Sequence, residues 1–217
     1  SNLKQMGLMG QMYADDYKEY MMGAIYDPVQ HASTVAHHFM RGFTDLGYGG
    51  KLAPNASSRQ ANLFRCPSET NRSGTIDAWP YHTTYGVNYL TFGNNYNASE
   101  TYTLMKRSAI IAQAKGKSVR TMYIADTPEA SWMAHYNNST KFIADYRTLD
   151  TYNWPAYYPL RDGNGWSLVS ARHNKSTTLN AVLFDGSAVG ILAKQLHRNL
   201  SYIYPYRYMY GTNWYTE

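Results

Sequence analysis

Apolar residues recur along the first 22 positions at spacings of three and four: Leu3, Met6, Met9 or Gly10, Tyr13, Tyr17 and Tyr20, with Lys4, Gln5, Gln11, Asp15, Asp16 and Lys18 between them. That period is one face of a helix, so the pattern predicts an amphipathic helix over 1–22, about five or six turns long, with Gly23 near its end. A second helical pattern runs from Val29 to Leu46, carries Val35, Phe39 and Phe43 four apart, and stops at Gly47 and Gly49-Gly50. Residues 50–80 are irregular, rich in Asn, Ser, Arg and Pro. From Thr83 the pattern changes to short β-favouring runs: Thr83 to Leu90, Ser118 to Ala125, Leu179 to Phe184 and Ala188 to Leu192. Asp185-Gly186 separates the last two and signals a hairpin, because glycine accepts the positive φ such a turn requires. Helices first and antiparallel strands afterwards predict an α+β fold, the N-terminal amphipathic helix packed on an antiparallel β-sheet. Residues 128–170, rich in Tyr, Trp and Asn, predict a loop-rich insertion, and 193–217 a Tyr-rich C-terminal segment of the same single domain, 1–217.

Composition changes this picture at two points. Leu, Ile, Val and Phe together make up about a sixth of the chain, a level that by itself suggests disorder. The 22 Tyr, 5 Trp and 10 Met point instead to a packed core, since each aromatic ring buries roughly 150–250 Å². The net charge of +5 comes without a run of four basic residues, which argues against a nucleic-acid partner. The longest aliphatic stretch, Ala109-Ile110-Ile111-Ala112, is far below the ~20 residues of a spanning helix. Cys66 has no second cysteine in the chain to pair with.

Four pieces, in order, carry a family resemblance. They are Ser1-Asn2-Leu3-Lys4-Gln5-Met6-Gly7-Leu8 followed by Met12-Tyr13-Ala14-Asp15-Asp16-Tyr17; Phe64-Arg65-Cys66-Pro67-Ser68; Thr84-Tyr85-Gly86-Val87-Asn88-Tyr89; and Ala171-Arg172-His173-Asn174 leading to Asn180 through Gly186. The chain resembles bacterial prepilin-type proteins, which carry an N-terminal cleavage/methylation signal and a C-terminal His-X9-Asp-Gly motif. Here 11 residues separate His173 from Asp185, as if two were inserted near Lys175 to Thr178, and Ser187 stands where the family often has a second His. An even insertion preserves strand alternation while unsettling the position of His173.

The resemblance implies the soluble domain of a type IV pilin or a type II secretion pseudopilin. The helix starting at Ser1 would continue a missing hydrophobic helix, first a membrane anchor and then the shaft of a filament of like or other pilin-like subunits. It implies a protein exported to the bacterial cell envelope or beyond, structural and not enzymatic, touching the membrane only through that helix. Family members often have a Cys just before the position of Ser1, so the resemblance also raises a pairing with Cys66 in a longer chain. The motif residues it marks are Asn2, Leu3, Lys4, Gln5, Tyr13, Asp15, Cys66, Pro67, Tyr85, Gly86, Asn88, His173, Asp185 and Gly186.

Three constellations could carry chemistry. Asp126 at a strand end, His173 before another strand and Asp185 at a hairpin tip could converge for a metal or for acid/base work, although Asp at strand ends and in Asp-Gly also serves turns alone. The favoured reading is a buried polar network with no catalytic residue and no metal. Asp162-Gly163-Asn164-Gly165 opens like a calcium loop, but Trp166 and His173 stand where the fifth ligand and the closing Glu belong. Calcium is the one cofactor this leaves open, with a Gly-rich turn the simpler reading. Tyr202, Tyr204, Tyr206, Tyr208 and Tyr210 alternate strictly, so in an extended strand they form a ladder of some 27 Å. Pro205 places that segment at an edge or in an extended tail. The rings either cover the domain's own core or, with Trp154, form an adhesive strip for polysaccharide or a neighbouring subunit.

Overall fold

The computed structural model describes residues 2–23, 25–26, 37–49, 62–64, 66–68, 84–88, 92, 106–113, 119–126, 141–142, 172–175, 177–192, 195, 207–210 and 213–216. In chain order these form α1 (Asn2–Asp16), β1 (Ile25–Tyr26), β2 (His37–His38), α2 (Phe39–Asp45), a 3-10 turn (Asn62–Phe64), β3 (Tyr85–Asn88), α3 (Arg107–Gln113), β4 (Met122–Asp126), β5 (Lys141–Phe142), β6 (Thr178–Leu183), β7 (Ala188–Leu192), β8 (Arg207–Tyr210) and β9 (Asn213–Thr216). The main sheet has the order β5-β3-β4-β6-β7. Its last four strands are antiparallel, and β5, from the predicted insertion, joins the β3 edge in parallel. The architecture is an N-terminal helix with an open antiparallel sheet, an α+β arrangement.

The apolar stripe of α1 is the face it buries: Leu3, Met6, Met9, Tyr13 and Ala14 join the core, while Lys4, Gln5 and Leu8 face outward. α1 packs on β4, β6 and β7. Two glycines on the buried face allow a close approach. A Cβ on Gly7 would lie 2.7 Å from the Gly186 carbonyl oxygen, and one on Gly10 would meet the Tyr123 ring at Cε1. Gln11 Nε2 donates to the Phe184 carbonyl at 2.8 Å, tying the helix to the β6–β7 turn. All five residues of β4 are buried, as expected of a strand covered on both faces.

The Asp185-Gly186 hairpin forms, with Phe184 and Asp185 as its central residues. Gly186 N donates to Leu183 O at 2.9 Å, and Gly186 follows at φ 85°, a three-residue loop closed by a glycine bulge.

Two boundaries move from the sequence expectation. α1 ends at Asp16, short of Gly23, because Lys18 and Glu19 take φ of 53° and 69° and Glu19 N donates to Ala14 O at 2.8 Å. That is a Schellman-type stop built without glycine. Contacts from the α3 segment hold it: Arg107 N donates to Glu19 O at 2.9 Å, Arg107 Nη2 meets Asp15 Oδ1 at 2.6 Å, and Tyr20 bridges to Lys106. Among the described residues the second helix spans Phe39–Asp45, and His37-His38, expected on a helix, pair instead with Ile25-Tyr26 as β2. Val29 and Val35 lie outside the described residues. Phe39 and Phe43 still serve the core, with Phe39 edge-on to Phe43 and to Phe64 at 6.2 and 6.1 Å.

Tyr123, the second residue of β4, is fully buried and donates its hydroxyl to Met22 O at 2.9 Å. Burial raises its pKa well above the ordinary value. An unfolded tyrosine ionises near 10, so above that pH the unfolded chain gives up a proton that the native state keeps, and stability falls. Tyr123→Phe is expected to cost about 1–2 kcal/mol at pH 7.5, because the Met22 carbonyl loses its donor. At pH 10.5 the deficit relative to the wild type should shrink by about 0.8 kcal/mol. Urea unfolding at the two pH values measures both.

Candidate functional site

Among the described residues, Cys66, Asp126 and His173 converge where three strand ends and a turn meet. The segment after the 3-10 turn is held by Thr84, whose N donates to Phe64 O at 3.1 Å and whose Oγ1 accepts the Cys66 N–H. Pro67 follows, its φ fixed by the ring and with no amide proton to offer. Asp126 is the last residue of β4, and its carboxylate is completely buried. Asp126 Oδ2 accepts the Asn180 N–H of β6 at 2.6 Å, a side-chain bond that replaces a ladder bond where β4 ends.

His173 arrives by a tight turn. His173 and Thr178 form an antiparallel bridge, with His173 N donating to Thr178 O at 2.9 Å and Thr178 N returning to His173 O at 3.1 Å. Asn174 and Lys175 take φ of 46° and 56°, and Thr177 Oγ1 donates to Asn174 O at 2.7 Å. Asn174, Lys175 and Thr177 thus lie in a loop that returns the chain on itself before β6 begins at Thr178. His173 remains in register with the start of β6.

His173 Nε2 lies 3.1 Å from Asp126 Oδ2 and 3.5 Å from Cys66 Sγ. The ligating atoms of the three residues all fall within 4.8 Å of one another. Among the described residues, Asp126 Oδ1 has no hydrogen-bond partner. Burial pushes the Cys66 thiol pKa up, and the Asp126 charge pushes it further in the same direction. Tyr85, the first residue of β3, hydrogen-bonds Cys66, and its own pKa is raised mainly by burial. A cleft of about 330 Å³ opens beside the group, lined by Asn2, Cys66, Tyr85, His173, Asn180 and Val189 among others.

This geometry differs from a nucleophilic triad. In a triad the carboxylate orients one ring nitrogen and the other meets the nucleophile; here carboxylate and thiol both converge on Nε2. A raised thiol pKa also opposes the thiolate that such chemistry needs.

Of the expected Asp126, His173 and Asp185 group, the first two meet and the third does not. Asp185 is exposed in the β6–β7 turn, where its Oδ1 accepts from Ser187 N and Oγ at 2.9 and 2.6 Å. It stands five residues after Asn180, beyond the end of β6 at Leu183. Cys66 takes the third place, a residue that spacing alone does not connect with His173 because 107 positions separate them.

The other marked residues divide by role. Asn2 lines the cleft, Leu3 and Tyr13 are in the core, Lys4 and Gln5 are exposed, and Asp15 meets Arg107. Gly86 lies opposite Ala125 in the ladder, and Asn88 Nδ2 donates to Met122 O at 3.1 Å inside the sheet. Gly186 serves the turn. Trp154, Asp162, Asn164, Tyr202, Tyr204 and Tyr206 lie outside the described residues. Tyr208 and Tyr210 belong to β8, which pairs with β9 so that Tyr208 stands opposite Tyr215 and Met209 opposite Trp214.

No protein-family model matches the chain, no curated protein matches it significantly, and no solved structure does so either. Among the described residues no helix is long and apolar enough to cross a membrane.

Proposed function

We propose that the chain is the soluble domain of a pilin-like structural subunit, a filament or secretion-pseudopilus component of a bacterial envelope. The observation that carries this reading is the disposition of α1. One helix face is seated on the antiparallel sheet through Gly7 and Gly10, while Leu8 and Met12, four residues apart, remain 61% and 44% exposed on the other. An outward apolar row on the opening helix is what a subunit needs to pack beside the helices of its neighbours in a shaft. The prepilin-type motif residues support the same reading by resemblance. No step of it requires catalysis. Determination of the reading frame upstream of Ser1 tests it: a run of about 20 apolar residues behind a short basic leader is expected, and a polar, unrelated stretch overturns it.

A further inference from the structure

We propose that Cys66, Asp126 and His173 form a binding site for a zinc-like divalent metal ion, with a fourth coordination position open to the adjoining cleft. The donor set is the mixed thiolate, imidazole and carboxylate that zinc accepts, at lengths of about 2.3, 2.0–2.1 and 2.0–2.2 Å. A tetrahedron built on those lengths separates sulfur from nitrogen by about 3.6 Å and nitrogen from oxygen by about 3.4 Å. The corresponding separations in the protein are 3.5 and 3.1 Å, and the third pair, sulfur and carboxylate oxygen, lies within 4.8 Å.

Proton bookkeeping favours the same conclusion. Nε2 of His173 can carry one proton, yet both Cys66 Sγ and Asp126 Oδ2 address it. An ion between the three atoms satisfies all of them, accepting an electron pair from each. On binding, the Cys66 thiol loses its proton to solvent and the ion takes up the resulting thiolate. Charge is then balanced, two negative ligands against a divalent cation, with Arg172 close enough to act on Cys66 electrostatically. The hydrogen bond from Tyr85 to Cys66 and that from Asn180 N to Asp126 supply the outer support that orients metal ligands. Cys66 and His173 line the cleft, so the fourth side of the tetrahedron faces it and is available to a water or an incoming donor. This site does not depend on the pilin-like reading.

Cobalt(II) titration of the reduced, chelator-treated 217-residue chain tests the site. Expected are saturation at one equivalent, a thiolate-to-cobalt charge-transfer band in the near ultraviolet, and visible bands of tetrahedral intensity that zinc abolishes. Cys66→Ser should remove the charge-transfer band, and His173→Gln should weaken binding at least about tenfold; Asp185→Asn should leave both unchanged. The wild-type titration decides the matter even if a variant misfolds. A featureless spectrum, or a charge-transfer band retained in a folded Cys66→Ser protein, would overturn the proposal and leave a polar network only.

Discussion

Alanine at Gly10 is expected to lower the stability of the domain by about 1–2 kcal/mol, although alanine is the better helix former. Its intrinsic preference favours the substitution by about 0.8–1 kcal/mol in a helix interior. Against it stands the space under α1. The new Cβ would press on Cε1 of Tyr123 and lie 3.3 Å from Cδ1 and Cζ. That ring has little room to yield: its hydroxyl is held by Met22 O, it meets Phe92 at a centroid distance of 4.8 Å, and it is fully buried. Overpacking of this kind costs about 1–3 kcal/mol or more and outweighs the propensity gain. Gly7→Ala should behave similarly, because the atom it meets is a backbone oxygen of the hairpin. Urea unfolding measures both, with Gln5→Ala on the exposed face as a near-neutral control. A Gly10→Ala protein more stable than the wild type would mean that α1 is not seated on β4.

Asp126→Ala should cost about 2–4 kcal/mol, whereas Asp185→Ala should cost no more than about 1 kcal/mol. The Asp126 carboxylate is buried and faces both the Asn180 N–H and His173, so its removal strips a partner from each. Asp185 serves one exposed turn, where water replaces it. Asp126→Asn should recover part of the loss by keeping an acceptor toward Asn180. Equal costs at the two aspartates, measured by urea unfolding, would contradict the placement of Asp126 at the centre of the group.

Sequence pattern reaches those parts of the fold that depend on local chemistry. The inward face of α1 follows from the spacing of Leu3, Met6 and Tyr13, and the β6–β7 hairpin from Asp185-Gly186, because helix period and turn conformation are properties of neighbouring residues. The end of α1 is not legible in the same way. Lys18 and Glu19 are ordinary helix residues, and they adopt left-handed conformations where Arg107 and Lys106, some 90 positions later, grip the chain. His37-His38 likewise lie in a strand although the surrounding period is helical, since their pairing to Ile25-Tyr26 is tertiary.

The candidate site divides along the same line. Asp126 and His173 stand at strand ends, where the β-favouring runs put them, and antiparallel pairing of β4 with β6 brings them together. Cys66 gives no sign of being their neighbour because it lies in a region without periodicity, and the bonds to Thr84 and Tyr85 carry it to the sheet. Asp185 draws notice through its Asp-Gly motif, but a turn-forming aspartate at the far end of β6 cannot reach the group.

Central to the pilin-like reading is an α1 whose outer face meets like helices. Cysteine crosslinking of the full-length protein in intact cells tests this directly, with Leu8→Cys and Met12→Cys placing thiols on the exposed face while native Cys66 stays buried. A covalently linked dimer in the envelope fraction is predicted for each variant, since one reactive thiol per subunit joins two subunits, and it is lost when the same variants are treated after detergent extraction. Monomers alone, in cells that accumulate the protein in the envelope, would contradict it.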